Sequence, residues 1–502
     1  MPVLFTSAHR PALFTKLFLL GSLLCASGRV AAATPPTTQF LPVVPGIPES
    51  RSTPFISWSG DLSLSAYVEE EYSISGTANT YTYTDDAAQT PATEIVDHNI
   101  PYTTRILLRR PEHPGNFSGT VFLELLNATA GWDGDPIWQS NHEYIIRSGA
   151  AWLGITARPV TVDFLRHGWG SSTNVARNAS RYRSLSMPEE GQVWDMLSQV
   201  GLLLKTPTSN HNPLSRFAVA RVIMVGYSQS ADYQVTYANS FHSEAQTTSG
   251  EPVYDGYFIS AGHGQAKHLR GPGNETPEYL PENDRRNLIR ADAPVIRFQS
   301  QTEVIGFAAY LARQTEADYP NLRFYEMAGG AHVDAHLNTT GGRALVRDLG
   351  LPPSFCPEPA NAYNPIRISY VQSALLDALV QWISNGSEPP ASRFMELSTR
   401  DGSPELLRDP NGNGVGGIRP PALQVPLGRY LENNSGPGFC SLFGGFIPFD
   451  DEKLRALYPN PEAFIIPITE AIRRSESQGF LLAHDAETML KEASASTIGT
   501  WE

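Results

Sequence analysis

Val219-Ala-Arg-Val-Ile-Met-Val225, running into Gly226-Tyr227-Ser228-Gln229-Ser230, decides how the rest of the chain is read. A short apolar run of this kind suits a strand covered on both faces, as in a parallel sheet. Gln229 to Phe241 then carries a helical pattern. The pentapeptide is therefore a strand-to-helix turn, the setting of a nucleophile elbow. Such a turn is tight and strained, so the positions two before and two after the serine must be small. Gly226 meets that demand, and Ser230 stands where a second glycine is usual. At an elbow the serine hydroxyl projects above the sheet edge, and the helix places N–H groups and its positive dipole end beside a reacting carbonyl. The competing reading is an ordinary strand–turn–helix with a surface serine.

A serine hydroxyl needs a base to become a useful nucleophile. In this class of site the chain order is serine, acid, histidine. His332, in Ala328-Gly-Gly-Ala-His332-Val-Asp334, follows the apolar run Leu322 to Met327, and the glycines let its loop fold back over the serine. His336 competes with it. A His332/His336 pair could also serve a metal, but no third ligand and no HExxH pattern accompanies it, so no metal is predicted. The orienting acid belongs after the preceding strand. Val295 to Phe298 runs into Gln299-Ser-Gln-Thr-Glu303, which makes Glu303 the candidate. Asp292 precedes that strand, Asp318 lies too far along and Asp334 follows the histidine. The competing role for Glu303 is a carboxylate at the N-terminus of a helix over 303–313. The oxyanion hole is expected from the amides of Gln229 and of Ala128, the latter in the loop Asn127-Ala-Thr129 after the third strand of the sheet. Tyr227, His263 and Trp132 are expected to line a substrate pocket.

Around this centre the pattern predicts an α/β fold, with a mostly parallel sheet flanked by helices. Leu62 to Thr84 and Tyr102 to Arg109 alternate as antiparallel strands. Val121 to Leu126, Ala151 to Thr156, Tyr254 to Ser260, Val295 to Phe298 and Leu322 to Met327 join Val219 to Val225 as covered strands. Ser186-Met-Pro-Glu189 reads as a capping box before the apolar stripe Val193, Leu197, Val200 and Leu204. Ile368, Val371, Leu375, Leu379 and Trp382 form a helical face that stops at Asn385-Gly386. Residues 131–190 and 262–292 read as irregular, lid-type insertions. Residues 34–385 make the catalytic domain, and 386–502 an extension packed on it. Arginines 158, 166, 177, 181 and 183 could recognise a carboxylate or form a solvated, salt-bridged face.

Residues 1–33 read as an export signal: Arg10 and Lys16, the apolar run Leu17 to Ala26, then Ala31-Ala-Ala33 as the cleavage site. The run is too short to span a membrane, and Leu24 before Cys25 argues against lipidation. Export leaves Cys356 and Cys440 as an even pair in an oxidising compartment. Seven Asn-x-Ser/Thr sequons stand at Asn116, Asn127, Asn178, Asn274, Asn338, Asn385 and Asn433. A glycan at Asn127 would block the site. Apolar residues are 41% and charged residues 18%, so the chain can bury a core. The formal charge of −14 repels phosphate backbones and argues against nucleic acid as a partner. Asp409-Pro-Asn411-Gly-Asn413-Gly414 resembles half of a calcium loop, but Pro420 occupies the closing position. A turn explains it more simply.

The chain resembles the α/β-hydrolase superfamily, and within it a family of exported proteins called alpha/beta hydrolase domain proteins. The residues that carry the resemblance are Glu124-Leu-Leu-Asn127, Gly226 to Ser230, Thr302-Glu303 and Gly330-Ala-His332-Val-Asp334. They continue in Gly416-Gly-Ile-Arg-Pro-Pro-Ala-Leu-Gln-Val-Pro426 and Gly479-Phe-Leu-Leu-Ala-His-Asp485. The resemblance covers nearly all of the chain after residue 33. It implies Ser228 as nucleophile, Glu303 as acid, His332 as base, and no cofactor. The expected activity is a secreted serine hydrolase acting on small-molecule carboxylic esters, lactones included. The alternatives are amide or peptide hydrolysis, and a non-catalytic binding protein on the same fold.

Overall fold

Nine strands form one sheet in the computed structural model, which describes residues 34–44, 52–85, 92–170, 172–271 and 278–501. The segment read as an export signal and the sequon at Asn274 lie outside these. The strands are β1 (Thr37–Phe40), β2 (Tyr67–Tyr83), β3 (Thr93–Pro111), β4 (Thr120–Leu125), β5 (Ala151–Ile155), β6 (Arg221–Tyr227), β7 (Gly256–Ser260), β8 (Val295–Ser300) and β9 (Leu322–Met327). Their spatial order is β1-β2-β3-β5-β4-β6-β7-β8-β9. The first three strands and the β3–β5 pair are antiparallel, and every pairing from β5 through β4 to β9 is parallel. The apolar runs expected to be covered on both faces are β4 to β9, and nearly all their residues are buried.

Chain order reverses around β4 and β6. From β4 the chain turns toward β5, whereas from β6 it turns toward β7. The connections leave on opposite sides and open a crevice beyond the carboxyl ends of these two strands. That crevice receives the loop after β4 and the turn after β6.

Helices cover both faces: α1 (Pro136–Arg147), α2 (Pro159–His167), α3 (Ser172–Arg181), α4 (Val193–Leu204), α5 (Gln229–Ser240), α6 (Gln301–Gly306), α7 (Ala335–Leu349) and α8 (Ile368–Asn385). The start of α1 is fixed by a buried carboxylate. Glu124 of β4 accepts from the N–H groups of Ile137 and Trp138 at 2.9 and 3.1 Å and from the Trp152 indole at 2.7 Å. Burial first, then the neighbouring Asp135 carboxylate, pushes its pKa up to about 8. At the other end of the fold, Gly386 closes α8 in the left-handed region (φ 77°), as the Asn-Gly signal predicts.

Three expectations are corrected. Residues 131–190 are not an irregular insertion, since they contain α1, β5, α2 and α3. Their Trp and Pro content reflects core packing, with Trp138 and Trp152 fully buried. The capping box is not Ser186/Glu189. Ser186 instead bridges to Thr103 at the edge of β3, and the reciprocal cap joins Glu189 to Gln192, three residues closer to α4. Leu62–Ser65 is a short 3-10 turn, capped by Asp61, and not the start of a strand.

The chain beyond α8 packs along β9. Arg393 and Ile418 form parallel bridges with Tyr325 and Met327, and Phe443 bridges to Val333. Strands Gly428–Leu431 and Gly445–Pro448 join Ala362–Tyr363, which precedes α8, in a three-stranded sheet. Leu397–Arg400 pairs with Ser403–Leu406, and the helices Pro421–Gln424, Asp451–Leu457, Pro461–Ser477 and Ala483–Ser494 also belong to this part. Cys356 and Cys440 form a disulfide that ties it back, with Cα atoms 4.8 Å apart. Among the described residues no helix is long and apolar enough to cross a membrane. Of the sequons, Asn116, Asn385 and Asn433 are exposed, whereas Asn178 and Asn338 are buried. The amide of Asn127 is engaged, donating to the carbonyl of Tyr227 at 3.0 Å.

Candidate active site

Ser228 sits between β6 and α5 with φ 58° and ψ −129°. This backbone costs energy for any residue with a Cβ, and it is held by its surroundings. The N–H of Ser228 bonds to the carbonyl of Ser260 on β7 at 2.9 Å. A Cβ on Gly226 would lie 2.2 Å from the Gln234 amide nitrogen and 3.1 Å from the backbone of Ser230. Glycine is required there by close approach. Ser230 is itself buried under the turn and is tolerated.

Glu303 has a partner suited to each of the roles considered for it, and the helix it caps is α6, shorter than the expected 303–313. One carboxylate oxygen accepts from the N–H of Ser300 at 2.5 Å in a reciprocal cap that opens α6. The other lies 2.7 Å from Nδ1 of His332. Glu303 is fully buried and His332 is 4% exposed. A carboxylate held this way fixes the imidazole tautomer, leaving Nε2 as the nitrogen that accepts a proton. The loop carrying His332 is fastened at two more points. Its N–H donates to the Thr302 hydroxyl at 3.0 Å, and its carbonyl accepts a short hydrogen bond from the Tyr227 hydroxyl. The Phe307 ring stands edge-on to the imidazole, with centroids 5.5 Å apart.

Ser228, His332, Tyr227 and Trp132 line one cavity of about 170 Å³. The loop after β4 forms its rim. Asn127 and Gly134 exchange both backbone hydrogen bonds, and the N–H of Thr129 is taken by the Asn127 side chain at 2.9 Å. Ala128 lies buried between them. The amide of Gln229, in the first turn of α5, has no intrahelical carbonyl to bond. Its side chain accepts from Arg158 at 2.7 Å.

Other expected residues fall elsewhere. His263 does not line this cavity. It stacks on Phe307, with centroids 4.3 Å apart, and its Nδ1 lies 2.9 Å from Asp232. His336 turns away from His332 and faces Arg367 and His142. None of the arginines 158, 166, 177, 181 and 183 lines the cavity. Arg158 pairs with Glu190, Arg181 with Glu71 and Arg166 with Asp163. Among the described residues no group of three His, Cys, Asp or Glu is placed to hold a metal ion. Asp409 caps its own turn through the N–H groups of Asn411 and Asn413 and pairs with Arg419 at 2.7 Å.

The far wall of the cavity was not foreseen. Phe355, Phe439, Leu442 and Phe443 come from the two segments that the disulfide joins, and Leu337 and Leu345 from α7. The cysteine pair was the only hint in the sequence that these segments meet.

Residues 36–491 match the family described as alpha/beta hydrolase domain. The chain belongs to that family. No curated protein matches it. Among solved structures, this alpha/beta hydrolase is similar to a rice cell wall degrading esterase, LipA from Xanthomonas oryzae, at 12% identity, covering 63% of this chain and 98% of that one, with a TM-score of 0.31. It is similar to a glucuronoyl esterase from Solibacter usitatus at 9% identity, covering 54% and 69%, with a TM-score of 0.27. An esterase from Pyrococcus furiosus is similar at 11% identity, covering 54% and 86%, with a TM-score of 0.25.

Proposed function

We propose that this alpha/beta hydrolase is an exported serine hydrolase of carboxylic esters, with Ser228, His332 and Glu303 as its triad. The observation that carries the reading is the buried Glu303–His332 pair, 2.7 Å apart, opening onto the same cavity as a serine on a strained turn. Ser228 Oγ attacks the acyl carbon while His332 Nε2 takes its proton. The amides of Gln229 and Ala128 hold the oxyanion. The intermediate collapses by expelling the alcohol, which leaves with the proton from His332. Water, deprotonated by His332, then attacks the acyl-enzyme, releases the acid and returns the proton to Ser228. A lactone follows the same course, with alcohol and acid on one product.

The test is labelling with a fluorophosphonate probe, read by peptide mass spectrometry, followed by turnover of simple esters and matched amides. Label at Ser228, absent in Ser228→Ala, together with ester turnover is the expected result. Folded protein that takes no label and cleaves no ester overturns the proposal in favour of a binding role. Faster turnover of the amides would move it to amide hydrolysis.

A further inference from the structure

We infer that the cavity beside Ser228 selects uncharged esters carrying one apolar group about the size of a benzene ring, and that the Cys356–Cys440 disulfide holds the wall that does the selecting. The inference rests on the proposed ester hydrolysis and goes on to name the substrate class. Three observations carry it.

The first is size. An apolar cavity of about 150 Å³ accommodates benzene. The cavity here is about 170 Å³ and begins at Ser228 and His332. It exceeds what an acetyl group needs and has room for a single ring beside the serine.

The second is the lining. Phe355, Phe439, Phe443, Leu442 and Leu345 line the cavity with the serine. Phe355 and Phe439 are perpendicular, with centroids 6.2 Å apart, an arrangement that offers ring edges and faces to an aromatic guest. Among the described residues, no lysine or arginine lines the cavity. The acidic groups in its lining, Asp133 and Asp135, are already paired with Arg105 and Arg109. Among the described lining residues a substrate carboxylate finds no lysine or arginine, whereas a neutral ring meets apolar surface.

The third is construction. Phe355 adjoins Cys356 and Phe439 adjoins Cys440, and both sulfurs are fully buried against Phe443. The crosslink therefore fixes the two phenylalanines relative to each other. Phe439 and Phe443 belong to the segment after α8, so the extension supplies part of the site.

The experiment compares kcat/KM for ethyl acetate, ethyl phenylacetate and benzyl acetate, which place no ring, a ring on the acyl side and a ring on the alcohol side. Ethyl naphthylacetate and ethyl decanoate extend the series. One of the single-ring esters should exceed ethyl acetate by roughly 10- to 100-fold, the effect of burying one ring. Ethyl naphthylacetate and ethyl decanoate should fall below it. In the Cys356→Ser/Cys440→Ser variant and in Phe439→Ala the single-ring advantage should shrink at least 5-fold. Fluorophosphonate labelling of each variant confirms that it is folded. Equal rates across the wild-type series, with Ser228 still labelled, overturn this inference and leave the hydrolase reading intact. A preference that rises through ethyl decanoate also overturns it. It would mean that substrate reaches the second cavity behind Trp132, Leu345 and Phe355. Absence of both label and turnover counts against the hydrolase reading itself.

Discussion

The hydroxyl of Tyr227, the residue before the serine, donates to the main-chain carbonyl of His332. This bond links the turn that carries Ser228 to the loop that carries His332, and the proposed reaction depends on their relative position. Tyr227 is buried, and burial pushes its pKa well above the usual tyrosine value, so the hydroxyl stays a donor throughout the working range. Tyr227→Phe keeps the ring and removes the link. The expected result is a fall in ester kcat of about 10- to 100-fold, because a displacement of about 1 Å at a reacting group has that effect. KM should change less. Steady-state kinetics would decide it, and unchanged kcat would mean that the loop is held by Thr302 and Glu303 alone.

Glu303→Gln tests the acid. The amide can still meet His332 Nδ1 and can still cap α6, so the fold should survive. It cannot stabilise the imidazolium, and it favours the wrong tautomer. The expected loss in kcat is roughly 10³- to 10⁴-fold. A drop below about 10-fold would restrict Glu303 to its capping role at Ser300.

The meeting of Glu303 with His332 beside Ser228 was legible because each lies within a few residues of an apolar strand, where local pattern and chain order suffice. The runs that became β4 to β9 were legible for the same reason: burial on both faces leaves no polar position to blur them. What escaped depends on contacts between distant segments. Nothing local says that Thr302 will brace the His332 amide, or that Phe355 and Phe439 will meet. His263 was misplaced because it follows β7, whose carboxyl end lies beside that of β6, but Asp232 and Phe307 hold its ring outside the cavity lining. Residues 131–190 were misread because Trp, Gly and Pro suggest a loop, although here the prolines begin α1 and α2.

Gly226→Ala should destabilise the protein. The added methyl group would meet the Gln234 side chain at 2.2 Å and the Ser230 backbone at 3.1 Å, and only the first of these can move away. Overpacking of this kind costs about 1–3 kcal/mol. Urea denaturation should show a lower midpoint with an unchanged slope, and fluorophosphonate labelling should slow as the turn shifts. Wild-type stability would mean that Gln234 rearranges freely.

A pH dependence follows from His336. Burial, then the Arg367 guanidinium 3.2 Å away, pushes its pKa down to about 4, and Glu143 offsets this only in part. Its stacked neighbour His142 is lowered too, chiefly by burial. In the unfolded chain both titrate near 6.5. Between about pH 6.5 and pH 4 the unfolded chain therefore binds protons that the folded chain does not, and stability falls as the pH falls through that window. The denaturation midpoint should decline from pH 6.5 to pH 4, and His336→Gln should flatten part of the decline. Parallel curves for the two proteins would place the proton uptake elsewhere.

Arg109 ties the front of the sheet to the rim of the site. Its guanidinium lies over Trp138 and Trp152, 4.7 and 4.4 Å from the ring centroids, and pairs with Glu69 at 2.8 Å and Asp135 at 2.6 Å. The arginine is fully buried and Asp135 nearly so, whereas the Glu69 side chain is 14% exposed. Removing the cation leaves both carboxylates unpaired, and Asp135 has less access to water than Glu69. Arg109→Leu should therefore cost about 3–5 kcal/mol, as loss of one member of a buried pair does. Adding Asp135→Asn should recover part of that loss, and adding Glu69→Gln should recover less. A double-mutant cycle by urea denaturation measures the two couplings. Equal recovery from both second substitutions would mean that solvent access at Glu69 does not govern the penalty.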